Sequence, residues 1–297
     1  MFKPQGIFTA LVTPMNQDET VNFDELRNQV DRQIKRAAAG LFCLGTNGEF
    51  YALDTSERIE ILDVIADQVG GRVPLIANVG CVTTRETVRL AKETAKRPVN
   101  AMSVIVPYFA AFSQEQLYQH YATIAKSVDI PIMIYNIPKR TGNAISLETV
   151  KELSKIDSII GIKDSSGDIA FLNELFKLSS PNFSVLVGTD SLILQTLQKG
   201  GTGAVAGCAN PFPEIMNGIY TYWKKGDLKT AQILQDSIVP FRNTFSFGNP
   251  NSIVKRAVEL MGYEVGAARA PANIISVEID AQIRKAIEAV NIASKLT

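Results

Sequence analysis

Lys163 closes the apolar run Ser158-Ile159-Ile160-Gly161-Ile162, so its amine should emerge from a desolvated wall. Burial disfavours the ammonium form, and a neutral amine is what attacks a ketone to form a Schiff base. The plainer alternative is a strand-end lysine paired with Asp164 or solvated. Tyr135 closes a second apolar run, Pro131–Tyr135. A phenol at a strand end facing an amine can shuttle the protons that carbinolamine dehydration requires; otherwise it is a core aromatic. Thr46, in Gly45-Thr46-Asn47-Gly48-Glu49 after a third run, adds a hydroxyl.

Those residues need strands to carry them, and eight short apolar runs bounded by turn residues supply the pattern: Ile7–Val12, Leu41–Leu44, Pro74–Asn78, Ala101–Val106, Pro131–Tyr135, Ile159–Lys163, Ser184–Val187 and Gly203–Gly207. Runs apolar at nearly every position suit strands buried on both faces, as in a parallel sheet. The gaps between them hold helical patterns, three of which begin with the form of a capping box: Asp54 to Glu57, Thr83 to Glu86 and Ser113 to Gln116. The second opens a helix with Val88, Ala91 and Ala95 on one stripe. Eight β/α units predict an α/β chain, a (β/α)8 TIM barrel over residues 1–220, with a C-terminal helical extension over 221–297. Barrel active sites lie where strands end and βα loops begin, which brings Lys163, Tyr135 and Thr46 to one mouth.

Composition narrows the partners. The 297 residues carry 30 Lys plus Arg against 30 Asp plus Glu, with 46% hydrophobic and 20% charged residues, which gives no electrostatic footprint for nucleic acid or an anionic membrane. No run of 18 apolar residues occurs, and Met1 to Gly6 lacks the features of an export signal, so a cytoplasmic protein is expected. Cys43, Cys81 and Cys208 are far apart and read as reduced thiols. No His, Cys or carboxylate cluster has metal-ligand spacing, so no metal is expected. His120, the only histidine, lies in the polar stretch SQEQLYQHY and reads as a surface helix residue. Gly201, Gly203 and Gly207 straddle a strand and do not follow one, which rejects a dinucleotide loop. Glycines after strands 7 and 8 suit a phosphate by position, but no Lys or Arg immediately accompanies Gly188 or Gly207.

Three motifs in order, Gly45-Thr46-Asn47-Gly48-Glu49, Tyr135-Asn136-Ile137-Pro138-Lys139-Arg140-Thr141-Gly142 and Gly161-Ile162-Lys163-Asp164-Ser165-Ser166-Gly167, resemble the signatures of the dihydrodipicolinate synthase/N-acetylneuraminate lyase superfamily. The likeness spans essentially the whole chain and includes Asn249-Pro250 and Arg269-Ala270-Pro271. It implies a class I pyruvate lyase on a (β/α)8 barrel with C-terminal helices, a homotetramer or homodimer needing no metal or organic cofactor. By the same resemblance Lys163 forms the imine with C2 of pyruvate, Tyr135 relays protons, and the Thr46 hydroxyl hydrogen-bonds that tyrosine. Backbone N–H groups of Thr46 and Asn47 hold the pyruvate carboxylate, and the Val205 carbonyl faces the site beside Gly188.

The second substrate, an aldehyde, is read from mixed signals. Arg140 resembles the arginine with which dihydrodipicolinate synthases bind the carboxylate of aspartate semialdehyde, a role suited to a guanidinium. Phe109 stands where those synthases place a second, interface tyrosine, and Tyr108 precedes it. Asn47 replaces the second threonine of their motif, and Arg269-Ala270-Pro271 resembles 4-hydroxy-2-oxoglutarate aldolases. The expectation is a synthase condensing pyruvate with aspartate semialdehyde. The alternative is an aldolase releasing pyruvate from 2-oxo-3-deoxy sugar acids or 4-hydroxy-2-oxoglutarate, and a catalytically silent barrel binding a 2-oxo acid is the reading from another class.

Overall fold

The computed structural model describes residues 2–294. Eight parallel strands are hydrogen-bonded in sequence order as a closed barrel: β1 (Gly6–Ala10), β2 (Gly40–Cys43), β3 (Leu75–Asn78), β4 (Ala101–Ile105), β5 (Ile132–Asn136), β6 (Ile159–Asp164), β7 (Ser184–Val187) and β8 (Gly203–Ala206). Every strand residue is buried, which is why the runs are apolar at nearly every position instead of alternating. Helices separate the strands, and the fold is the expected (β/α)8 barrel followed by C-terminal helices, among them Pro250–Leu260 and Val277–Ser294.

The chain forms two compact units. In the one built mainly from Pro74–Val205, the ladder sets Ile105 against Tyr135 and Tyr135 against Lys163. Lys163 is in turn set against Leu186. Side chains alternate across a strand, so residues opposite one another share a face. In the unit containing Ile7–Val73 and the chain from Ala206, β1 pairs with β2 with Thr9 opposite Leu41.

Strand limits move by one or two residues for local reasons. Leu44, expected inside a strand, adopts φ 55° and begins the turn that carries Thr46. Val12 stays buried but leaves the ladder, its N–H donating to Asn210 Oδ1 at 3.1 Å. Asp54 with Glu57, and Ser113 with Gln116, form reciprocal capping boxes, and Thr83 accepts from the Glu86 N–H.

Two expectations about faces are corrected. The helix Thr84–Thr94 buries Thr87, Leu90, Ala91 and Thr94, leaving Val88 and Ala95 half-buried. Thr87 satisfies its hydroxyl within the turn, donating to Thr83 O at 2.9 Å and accepting from Cys81 N–H at 3.1 Å, so a polar residue enters the core at little cost. His120 is buried, 4% exposed, because it falls on the stripe of Leu117, Tyr121 and Ile124. Its Nδ1 meets Thr84 Oγ1 at 2.9 Å, and burial lowers the imidazole to about 4, so the ring is neutral. No helix among the described residues is long and apolar enough to cross a membrane.

Candidate active site

Lys163 and Tyr135 meet because adjacent parallel strands place them in register. Lys163 is 4% exposed, and its Nζ lies 3.8 Å from the centre of the Tyr135 ring, itself fully buried. Burial pushes the amine down to about 7, against the pull of the Asp190 carboxylate in the opposite direction. Near neutral pH the side chain is therefore a nucleophile for much of the time.

The pairing of Lys163 with Asp164 considered from sequence is replaced by another arrangement. Asp164 Oδ1 accepts from Asn136 Nδ2 at 2.7 Å and its Oδ2 from Ser166 Oγ at 2.6 Å. Burial raises the Asp164 carboxyl, opposed by the bonds from Ser166 and Asn136. Neighbouring strands thus carry two matched pairs, an amine on a phenol and an amide on a carboxyl. The second pair fastens the ends of β5 and β6 together.

Gly188 leaves the room that Lys163 occupies. A Cβ there would collide with Ser165 Oγ and stand 2.9 Å from Lys163 Cε. Its N–H donates to Asp164 O at 2.7 Å, extending the β6–β7 ladder past the strand end. Val205 is buried on β8. Tyr108 is half-buried after β4, whereas Phe109 is 96% exposed at φ 78°. The loop behind them is held by Asn143, whose Nδ2 donates to Pro107 O at 2.9 Å and to Ala110 O at 2.7 Å. Arg140 is exposed on the short helix Pro138–Thr141.

Thr46 and Asn47 lie in a tight loop braced from several sides within its own unit. Thr13 Oγ1 donates to Gly48 O at 2.9 Å, and Asn251 Nδ2 donates to Thr46 O at 2.6 Å. Glu49, at φ 56° and buried, pairs with the buried Lys255 at 3.0 Å and accepts from the Arg269 N–H at 2.9 Å. Across from Asn47, a Cβ on Gly207 would stand 2.5 Å from the Asn47 amide nitrogen. Arg269 also binds Glu57 through both terminal guanidinium nitrogens and reaches Glu19 O and Ala52 O. Glu49, Asn249-Pro250 and Arg269 belong to the motifs legible in the sequence, whereas Asn251 and Lys255 lie outside them. Their spacing of four residues on one helix is the only signal they leave. Among the described residues no group of three His, Cys, Asp or Glu side chains could hold a metal ion.

A parallel barrel with a dry strand-end lysine against a tyrosine defines a lyase of the lysine Schiff-base class. The profile of the Dihydrodipicolinate synthetase family matches residues 3–290, and the chain belongs to that family. It is 36% identical over 273 residues to the 4-hydroxy-tetrahydrodipicolinate synthase of Methanopyrus kandleri, covering 91% of each chain. It is 35% identical over 266 residues to an uncharacterized DapA-like lyase of Halobacterium salinarum, covering 90% of this chain and 87% of that one. Among solved structures it is similar to a prophage protein of the dihydrodipicolinic acid synthase family from E. coli K12 in complex with pyruvate. That likeness has a TM-score of 0.93 and 28% identity, covering 97% of this chain and 98% of the other.

Proposed function

We propose that the enzyme condenses pyruvate with aspartate semialdehyde through an imine on Lys163. The observation that carries this reading is the buried Lys163 amine lying on the Tyr135 ring. The amine adds to C2 of pyruvate, and the carbinolamine loses water, Tyr135 carrying the proton with help from the Thr46 hydroxyl. The resulting iminium is an electron sink, so a C3 proton passes to the Tyr135 oxygen left deprotonated by the loss of water, and the enamine attacks the aldehyde carbon, whose oxygen takes that proton back. Backbone N–H groups of Thr46 and Asn47 hold the pyruvate carboxylate as fixed dipoles, and the Val205 carbonyl and Gly188 are the further substrate-binding groups of this reading. Arg140 takes the carboxylate of the aldehyde partner. Support comes from the synthase of Methanopyrus kandleri and from the pyruvate bound to the E. coli relative.

Phe109 favours a second reading. It has no hydroxyl to relay a proton, and with Asn47 it suits an aldolase that cleaves 2-oxo-3-deoxy sugar acids or 4-hydroxy-2-oxoglutarate to pyruvate and an aldehyde. An aromatic held out at φ 78° and 96% exposed is also what a subunit interface covers, and we take the enzyme to be a homotetramer or homodimer working in the cytoplasm. Condensation of pyruvate with aspartate semialdehyde should be measured beside pyruvate release from the candidate 2-oxo acids. Faster turnover in the condensation supports the synthase; turnover confined to pyruvate release assigns the aldolase. Arg140→Ala should raise KM for aspartate semialdehyde far more than for pyruvate, and equal effects on both would remove Arg140 from the aldehyde site.

A further inference from the structure

Asn251 lies outside the barrel strands, near the start of the helix Pro250–Leu260, yet it reaches the loop after β2. It is 2% exposed. One amide nitrogen makes both of its donated bonds, to Thr46 O at 2.6 Å and to Tyr51 Oη at 2.9 Å. Lys255, one helical turn further on, reaches Glu49 in the same loop. Two side chains of one helix face therefore clamp one five-residue motif.

The chemistry lies in which atom is held. Thr46 C=O and Asn47 N–H belong to a single planar peptide group and point to opposite sides of it. Fixing the carbonyl fixes the direction of the N–H. Thr46 O accepts from Asn251 on one hand and from the Glu49 N–H at 3.1 Å on the other, so the peptide cannot rotate without breaking both. We infer that Asn251 is a positioning residue for the carboxylate site: by anchoring Thr46 O, it aims the Asn47 N–H that receives the substrate carboxylate. This rests on the pyruvate reading above and assigns the C-terminal helix a part in substrate affinity. Preorganised donors work because they do not have to reorient when charge arrives.

The test uses the full-length enzyme and borohydride trapping on Lys163, read by mass spectrometry, with pyruvate and with acetone, which keeps the ketone but lacks the carboxylate. Asn251→Asp keeps the side chain's size and turns the donor toward Thr46 O into an acceptor; Asn251→Ala removes it. In both variants the pyruvate concentration giving half-maximal trapping should rise about tenfold, the worth of one well-placed hydrogen bond. The trapping rate with acetone should be unchanged. Equal losses with both ketones, no change with either, or failure of both variants to fold would make Asn251 a structural residue and overturn the inference. If the unsubstituted enzyme is trapped by acetone but gives no adduct with pyruvate, the pyruvate reading fails and takes this inference with it.

Discussion

Lys163 Nζ sits over the face of the Tyr135 ring, 3.8 Å from its centre. The phenol oxygen lies in the ring plane, to one side of the amine. That arrangement sets the amine on the ring face and the hydroxyl at the ring edge, so under the proposed reaction the two groups would address different atoms of one carbonyl. It also surrounds the amine with apolar surface, and burial takes it from 10.5 down to about 7.

The pH dependence of trapping follows. Imine formation consumes the neutral amine, so its rate at low pyruvate should rise with an inflection near pH 7; an inflection above pH 9 would mean that the amine is solvated. Stability should move in a definite direction too. Below pH 7 the lysine is protonated folded or unfolded, and the full burial penalty is present; between pH 7 and 10.5 the unfolded chain binds the extra proton, so the penalty fades as pH rises. Lys163→Met should therefore stabilise the protein more at pH 6 than at pH 10 in paired thermal melts.

Tyr135→Phe keeps the ring beneath the amine and removes only the hydroxyl, the proton carrier of the proposed reaction. Turnover should fall by about 10²- to 10⁴-fold, while prolonged incubation with pyruvate and borohydride still labels Lys163. Near-normal turnover in this variant would move the proton relay to another group, Tyr108 being the first to examine.

Gly188 is where one methyl group should reach the Lys163 side chain. Its conformation is open to other residues, so the barrel should tolerate alanine, but the new Cβ meets Ser165 Oγ and stands 2.9 Å from Lys163 Cε. Ser165 must rotate and the lysine stem must shift to make room, which disturbs the seat of the amine on Tyr135. A loss of trapping rate of at least about tenfold is expected from misplacement of the nucleophile, with the melting temperature little changed. Unchanged trapping would show that Lys163 has room the packing does not suggest.

Much of this architecture is legible in the chain because its cause is local. Strands buried on both faces leave runs such as Ala101–Ile105 with no polar alternation, and Lys163 and Tyr135 stand out as polar residues ending such runs. What the sequence hides is pairing at long range and polar groups that satisfy themselves nearby. Glu49 and Lys255 are 206 residues apart, and no periodicity ties them. His120 reads as polar surface because the stripe of Leu117, Tyr121 and Ile124 that carries it inward is preceded by Gln116 and interrupted in sequence by Gln119. Asp164 looks like the partner of Lys163 from adjacency alone, although successive strand residues face opposite ways and Asp164 turns to Asn136 and Ser166.

The Glu49–Lys255 pair is a buried ion pair whose rupture should be costly. Both side chains are almost wholly removed from water, and the lysine also donates to Ala267 O at 2.7 Å. Burial lowers the Lys255 amine while Glu49 opposes that shift, so each charge depends on its neighbour. Lys255→Met fills a similar volume but leaves the Glu49 carboxylate facing an apolar chain. Removing one member of a buried pair costs about 3–5 kcal/mol, which for a chain of this size corresponds to a fall in melting temperature of roughly 5–15 °C. Adding Glu49→Gln to that variant removes the stranded charge and keeps an acceptor for the Arg269 N–H, so the double variant should regain part of the loss. If the double variant melts lower still, Glu49 is held by the Arg269 segment and not by Lys255, and the ion pair contributes little.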